Sequence, residues 1–290
     1  MTGARCLVSV VVPVYNEEVT IGADLLAIFK AMDKSGRDYE VLVVDDGSSD
    51  GTAQEVAQHP RAQLVRHDRN AGVGAARKTG LGIARGDIIV TTDGDGTYPN
   101  SEIPRLLSAM AGHDMVVGAR MREAGSHPWL RAPAKAFIRG LASYLTGVPI
   151  PDLNSGMRCF RKSVAMQFVP LLPAGHSSES TITLAFLTGG YRVAFLPIDY
   201  YPRRSGRSSF RPVRDTLALV LRTVLYFDPL KFFGPASLAL LAIGALKLAS
   251  DLVVLDLHVP GSTVVLLLGG LHVGALGLIA DRIVKRGRSA

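Results

Sequence analysis

Two aspartates one residue apart, Asp93 and Asp95, follow the apolar run of residues 87–92. Carboxylates so spaced at the end of a buried strand can chelate one hard cation through oxygen. Mg²⁺ or Mn²⁺ held there bridges phosphate oxygens and stabilises a departing diphosphate. The intervening Gly94 and Gly96 let a backbone approach closely. An isolated Asp-x-Asp is most often a solvated turn; its weight here comes from a neighbour. Asp45-Asp46-Gly47-Ser48-Ser49-Asp50-Gly51 ends a second apolar run. Ser49 and Asp50 there read as turn and helix-capping residues. The adjacent pair Asp45 and Asp46 puts one carboxylate into a cleft, where it can accept hydrogen bonds from a nucleobase or ribose. Positive charge comes from Arg120, Lys135, Arg139, Arg158, Arg203 and Arg207. His67, His113 and His176 do not cluster with one another or with a cysteine, which points to structural or surface roles.

The elements that must hold these groups alternate. Strands are expected at Leu7–Val14, Glu40–Val44, Gln63–Arg66, Asp87–Thr92 and Met115–Ala119, and helices at Glu18–Lys34, Thr52–Gln58, Val73–Ala84 and Glu102–Ala111. Strands apolar throughout suit a parallel sheet covered on both faces, and the alternation predicts an α/β doubly wound, mostly parallel fold. Such sheets bind ligands at the carboxyl ends of their strands. Four of these ends are polar: Tyr15-Asn16-Glu17, Asp45 to Ser48, Asp93 to Gly96, and Gly118-Ala119-Arg120. Their convergence on one sheet edge matters more than any single motif. Further on, helices are expected over 134–145 and 176–188, and a strand over Tyr191–Tyr201.

The chain has 290 residues and a net charge of +7, from 32 Lys and Arg against 25 Asp and Glu. A basic excess implies an acidic partner. The arginines gather near two long apolar stretches rather than on a nucleic-acid module, so nucleic acid is not the expected partner. Phe232–Ala249 and Ser262–Ala280 are each long enough to cross a bilayer core of roughly 30 Å. The loop between them carries Asp251, Asp256 and His258 but no Lys or Arg, whereas the outer flanks carry Arg222, Lys231, Arg282, Lys285, Arg286 and Arg288. The positive-inside rule then predicts a multi-pass cytoplasmic-membrane hairpin with both flanks, both termini and the first domain on the cytoplasmic side. The expected division is a first domain at 1–212, an amphipathic interfacial helix at 213–231 and a transmembrane hairpin with a basic tail at 232–290. Leu7–Val14 reads as a first strand rather than a signal peptide. Cys6 and Cys159 lack metal spacing and suit a reducing compartment.

Val11-Val12-Pro13-Val14-Tyr15-Asn16-Glu17-Glu18, Val43-Val44-Asp45-Asp46-Gly47-Ser48, Arg69-Asn70-Ala71-Gly72 and the Asp93/Asp95 strand end together resemble the family-2 inverting glycosyltransferases. Within these the chain is most similar to the polyprenol-phosphate sugar synthases, dolichyl-phosphate mannose synthase and undecaprenyl-phosphate glucosyltransferases among them. The resemblance implies a GT-A-like nucleotide-sugar-binding fold, a GDP- or UDP-linked sugar donor, an undecaprenyl or dolichyl phosphate acceptor, Mg²⁺ or Mn²⁺, and self-association into a homo-oligomer. It also implies residue roles. Pro13, Tyr15, Glu17, Asp45, Asp46, Gly72 and Gly94 frame the donor. Arg120 contacts the diphosphate, and Arg203 and Ser208 belong to a loop that closes over the phosphates. Asn154, Ser155 and Arg158 form the acceptor loop, with Lys135, Arg139 and Arg207 as further phosphate contacts. Glu179 falls where family members carry a helix-borne acidic residue, but Thr181 replaces the second acidic residue of that motif. Thr97 falls where some members supply a third, glutamine metal ligand, the alternative being a water between threonine and metal. Ser209 stands where many members carry lysine, and Arg207 can supply that charge.

A polyprenyl phosphate is already an anion and needs no protein base to attack the anomeric carbon. It needs cations to hold it beside a second anion. Asp93, Asp95, Arg120 and Arg203 are therefore the expected catalytic set, and one in-line displacement inverts the anomeric configuration. The competing readings are a transferase acting on a glycolipid or polysaccharide, which the missing Gln-x-x-Arg-Trp motif disfavours, and a non-catalytic nucleotide-sugar-binding scaffold, which the retained acidic pair disfavours.

Overall fold

The computed structural model describes residues 7–120, 140, 142–144, 146–175, 177–203, 229–254 and 259–288. The chain divides into two compact units, Met1–Val220 and Leu221–Ala290.

In the first unit, β1 (Val8–Val14), β2 (Tyr39–Asp45), β3 (Ala62–Arg66), β4 (Ile88–Thr91), β5 (Met115–Arg120), β6 (Arg158–Arg161) and β7 (Val193–Ile198) form one sheet in the order β3-β2-β1-β4-β6-β5-β7. β1 pairs in parallel with β2 and β4, β2 with β3, and β5 with β7, while β6 is antiparallel to both β4 and β5. The sheet is therefore mixed but mostly parallel, as the alternating pattern predicts. Sequence reasoning did not find β6. It is four residues long, reads Arg-Cys-Phe-Arg and lacks an apolar run. Its reversed direction has a consequence for the site. The start of β6, and the loop leading into it, lie at the same edge as the carboxyl ends of β1, β4 and β5.

Helices cover both faces. β1 sends Val8, Val10, Val12 and Val14 into a core shared with α1 (Ile21–Ser35) and α4 (Ile103–Ala109). On α1, Ile21, Leu25, Ile28 and Met32 recur at helical spacing and are all fully buried. Gly36 ends that helix in a left-handed conformation, with its N–H on Asp33 O. The helix expected at Glu102–Ala111 begins as a 3₁₀ turn over Asn100–Glu102 before α4. α3 (Val73–Ile83) packs on β1 and β2, and α6 (Ser178–Thr188) packs near β7. α2 (Thr52–Ala57) and α5 (Lys162–Met166) complete the unit.

The second unit is a helical hairpin of α7 (Pro229–Val254) and α8 (Gly261–Arg288). Gly277 faces Phe233, Gly274 faces Ser237, Gly270 faces Leu241 and Gly244 faces Leu267, so the helices run antiparallel with small residues in the seam. Ser237 Oγ donates to Gly270 O at 2.8 Å. Both helices are long and apolar enough to cross a membrane. Leu238, Leu246 and Val253 are 68%, 74% and 84% exposed, a surface that suits lipid rather than water. α7 runs past the expected end at 249, so Asp251 lies inside the helix instead of in the connecting loop. It is buried against Lys247 Nζ at 3.0 Å and accepts the Thr263 hydroxyl.

Candidate active site

β4 delivers Asp93 and Asp95 to the carboxyl edge of the sheet. The turn between them lies on α1, where a Cβ at Gly94 would come within 2.7 Å of Val14 Cγ1 and 2.9 Å of Ile21 Cδ1. Thr20 Oγ1 donates to Gly94 O at 2.9 Å. Asp95 Oδ1 accepts the Thr97 hydroxyl at 2.6 Å, and its Oδ2 lies 3.7 Å from Arg203 Nε. Arg203 also pairs with Glu17 at the end of β1. Asp93 Oδ1 accepts from Arg77 Nη2 at 2.5 Å. Arg77 belongs to α3, and its other amino group pairs with Glu179 of α6.

Glu17, Asp24, Asp93 and Asp95 are close enough for their charges to act on one another. Burial, and next the charge of Asp93, pushes the Asp95 carboxyl up to about 6. Burial pushes Asp24 up to about 7; the Gly96 N–H opposes this, while the charges of Asp95, Asp93 and Glu17 add to it. Sequence reasoning missed Asp24 and Arg77. Asp24 carried a signal, since it is a carboxylate on the apolar stripe of α1 between Ile21 and Ile28. Arg77 stands one turn before buried Leu81 and is similarly out of place on an inward face.

The second acidic strand end splays its two carboxylates. Asp45 is fully buried, accepts Ser48 N–H at 2.8 Å and lies 3.2 Å from Arg66 Nε. Asp46 bonds His67 Nδ1 at 2.7 Å, Ala71 N–H at 3.0 Å and Gly72 N–H at 2.7 Å, so it fastens the 69–72 loop. His67 Nε2 continues to Thr79 Oγ1 at 2.9 Å, the structural role expected of it. His113 likewise bonds Ala109 O at 2.8 Å. Asn16, with φ of 56°, joins β1 to this turn: its N–H donates to Ser48 Oγ and its Oδ1 accepts from Ser49 N–H, both at 2.9 Å. Pro13 is buried within β1, and Tyr15 is 44% exposed at its end.

On the β5 side, Arg120 grips Asp152 through Nε at 2.7 Å and Nη2 at 3.0 Å, and its guanidinium lies 5.0 Å from the centre of the Tyr200 ring. Burial opposes the Asp152 charge, but the Arg120 hydrogen bond and charge outweigh it and hold that carboxyl below its ordinary range. Asn154 Oδ1 accepts the Ser180 hydroxyl. Ser155 is fully buried. Arg158 opens β6 pointing inward, with Nη1 on Glu179 O at 2.8 Å and Thr183 Oγ1 at 2.9 Å, and Nη2 on Ser155 O. Burial, and then Arg77, lowers its pKa to about 9. Arg158 therefore braces the loop at 152–157 from below. Glu179 is 5% exposed on its side chain, and its Oε2 has no hydrogen-bond partner. Lys135, Arg139, Arg207, Ser208 and His176 lie outside the described residues.

Two carboxylates on one turn suit a hard cation that completes its shell with phosphate and water, as Mg²⁺ and Mn²⁺ do. Among the described residues no group of three or more His, Cys, Asp or Glu could hold a metal alone. Burial first, and then the charge of Asp93, raises the Asp95 carboxyl pKa, and a divalent cation bound there would offset both. The Thr97 hydroxyl is turned to Asp95.

A mixed, mostly parallel sheet with acidic strand ends on one edge, followed by an apolar two-helix hairpin, defines an α/β architecture of the GT-A kind. The glycosyl transferase family 2 model matches residues 9–168, and the chain belongs to that family. A second model, the GtrB C-terminal hairpin, matches residues 228–285. The chain is 33% identical over 211 residues to an undecaprenyl-phosphate 4-deoxy-4-formamido-L-arabinose transferase of Edwardsiella ictaluri, covering 70% of this chain and 62% of that protein. It is 38% identical over 193 residues to the Aeromonas hydrophila protein of the same name, covering 61% and 58%. The chain thus spans less than two thirds of the length of either relative. Among solved structures, glucosyl-3-phosphoglycerate synthase from Mycobacterium tuberculosis superposes with a TM-score of 0.57 at 22% identity, covering 76% of this chain and 80% of that one. Mannosyl-3-phosphoglycerate synthase from Rubrobacter xylanophilus gives 0.55 at 19% identity, covering 76% and 72%. At these identities the likeness establishes the fold.

Proposed function

We propose that this protein transfers a sugar from a GDP- or UDP-linked donor to a polyprenyl phosphate at the cytoplasmic face of a membrane, with inversion at the anomeric carbon. The observation that carries the choice of acceptor is the state of Glu179. This helix-borne carboxylate shares Arg77 with Asp93: the guanidinium pairs with one of its oxygens, and the other is buried without a hydrogen-bond partner. Committed to Arg77 in this way, the carboxylate does not present itself to an incoming hydroxyl as a general base. An acceptor that arrives already ionised needs none. The relatives named for transfer to undecaprenyl phosphate, and the hairpin of α7 and α8, support the same reading.

Asp93 and Asp95 would hold Mg²⁺ or Mn²⁺, which supplies charge neutralisation to the leaving diphosphate. A solved structure of the fold neighbour contains Mn²⁺ and UDP together. Arg203, which bridges Glu17 and Asp95, is placed to turn from these carboxylates to the diphosphate as that group arrives. Arg120, held by Asp152 and stacked on Tyr200, presents a preset guanidinium at the end of β5. Tyr15 offers an exposed ring to the base, and Asp46 shapes the 69–72 loop beside it. The loop at 152–157 holds the acceptor phosphate, with Lys135, Arg139 and Arg207 as further cations.

The test is to incubate purified protein with Mg²⁺ or Mn²⁺, polyprenyl phosphate and a panel of labelled nucleotide-sugars. Label entering lipid from one donor identifies both substrates. Label entering a glycan or glycolipid while the lipid phosphate stays unlabelled would refute the reading.

A further inference from the structure

Beyond the bonds from Thr97 to Asp95, the turn that carries Asp93 and Asp95 is held from outside. Three residues, Gly94, Gly96 and Asn100, are bonded to α1 or its N-cap, two of them to Asp24, and Thr92 joins through Asn100. Asp24 Oδ2 accepts Gly96 N–H at 2.9 Å, just after Asp95. Its Oδ1 accepts Asn100 Nδ2 at 3.1 Å. Asn100 Oδ1 in turn accepts the Thr92 hydroxyl at 2.8 Å, just before Asp93. One buried carboxylate, 7% exposed, therefore ties down both ends of the acidic turn. Thr20, at the N-cap of α1, holds the middle through Gly94 O. Asn100 and Thr92 are 3% and 0% exposed, so water cannot readily replace these bonds.

Placing a carboxylate here is costly. Asp24 sits among Glu17, Asp93 and Asp95, and on the apolar stripe of its helix. A polar side chain retained against both burial and like charge calls for a compensating task. Its partners identify that task, since none is a ligand or a cation; they are the backbone and side chains that fix where Asp93 and Asp95 point.

We propose that Asp24 is a positioning residue, setting the separation and orientation of Asp93 and Asp95 through Gly96 N–H at one end of their turn and Asn100 and Thr92 at the other. The link to cation binding rests on the metal role proposed above; the positioning itself does not. Outer-shell groups of this kind typically change metal affinity 10- to 100-fold when removed.

The geometry makes hydrogen bonding separable from charge. Asp24→Ala removes both acceptors. Asp24→Asn keeps an acceptor for Gly96 N–H and turns its amide to Asn100, which flips to receive it while Thr92 becomes an acceptor. Two measurements on the full chain in detergent decide the matter. The first is amide hydrogen exchange without metal. Gly96 N–H should lose protection in Asp24→Ala and keep it in Asp24→Asn, with the β1 and β2 amides protected in both as proof of folding. Unchanged Gly96 exchange in Asp24→Ala overturns the proposal. The second is Mn²⁺ titration followed by electron paramagnetic resonance, with the metal alone and with UDP or GDP. Asp24→Ala should bind about 10- to 100-fold more weakly, and Asp24→Asn within about threefold of the parent. Equal weakening in both variants overturns positioning in favour of a direct charge effect. No Mn²⁺ binding by the parent, with Gly96 protection still lost in Asp24→Ala, overturns the metal reading and leaves the positioning role standing.

Discussion

Arg77 Nη2 lies 2.5 Å from Asp93 Oδ1, and the same guanidinium pairs with Glu179, so α3 joins the end of β4 to α6 through one cation. Arg77 and Glu179 are 10% and 5% exposed on their side chains. Removing one member of a buried pair strands the other charge, which typically costs about 3–5 kcal/mol. Arg77→Met should lower the unfolding free energy by that order. Arg77→Met with Glu179→Gln should regain most of it, because the stranded charge is gone. Denaturant unfolding of the three proteins gives the comparison, and a double variant no better than the single one would refute the pairing.

Asp95 contributes differently, since its neighbours are polar and exchangeable. Asp95→Asn keeps the shape and an acceptor for the Thr97 hydroxyl but removes a charge from the proposed cation site. Sugar transfer to polyprenyl phosphate should fall to background, and chelation of divalent metal should do the same to the parent protein. The check is a lipid-extraction assay with and without added Mg²⁺ or Mn²⁺. Near-parental turnover in Asp95→Asn would exclude the carboxylate from metal binding.

The Arg120–Asp152 pair gives stability a pH signature. The Asp152 pKa is lower in the folded protein than the unfolded value of about 3.9. A depressed carboxyl pKa adds stability that is fully present above the unfolded pKa and is lost as pH falls through the folded one. Asp152→Asn should therefore be less stable than the parent at pH 7, and the gap should close below about pH 4. Melting temperatures of both proteins across pH 3–8 test this, and a gap independent of pH would contradict it.

The sheet edge was legible because buried parallel strands leave long apolar runs and their polar ends stand out at once. The four such ends did converge. β6 was not legible, because four residues with arginines at both ends leave neither an apolar run nor an alternation. Without β6, the stretch 152–158 could be read only as a loop, and Arg158 only as a free cation. In the fold it is a buried brace, with Ser155 O, Glu179 O and Thr183 as its partners. Residue type alone does not say which way a strand-edge side chain points. Asp24 and Arg77 were hidden for a related reason. Each reads as one polar residue on a helix, and only tertiary packing turns that helix face toward the acidic turn. The hairpin was legible from length and hydropathy, but its boundary was not. Asp251 looks like a loop residue until Lys247 and Thr263 are seen around it.

Gly156 offers the sharpest test of how closely the loop at 152–157 and the acidic turn are matched. Its N–H donates to Tyr98 Oη and its carbonyl accepts from Thr91 Oγ1, both at 2.7 Å, so the residue cannot drift. A Cβ there would lie 2.6 Å from Asp93 Oδ2 and 3.1 Å from Arg77 Nη2. Its backbone is not in the left-handed region, so alanine meets no penalty there and the effect falls first on the Asp93 carboxylate and then on the Arg77 guanidinium. That carboxylate must rotate or shift by a few tenths of an ångström. Misplacing a reacting group by about 1 Å can cost on the order of 100-fold in rate. Gly156→Ala should therefore reduce turnover about 10- to 100-fold while changing the melting temperature little. The control is Gly112→Ala, where a Cβ meets nothing within 4 Å but φ is 88°, so stability should fall while turnover is kept. The opposite pattern, with Gly156→Ala active and unstable, would mean that the loop at 156 serves only the packing of the sheet edge.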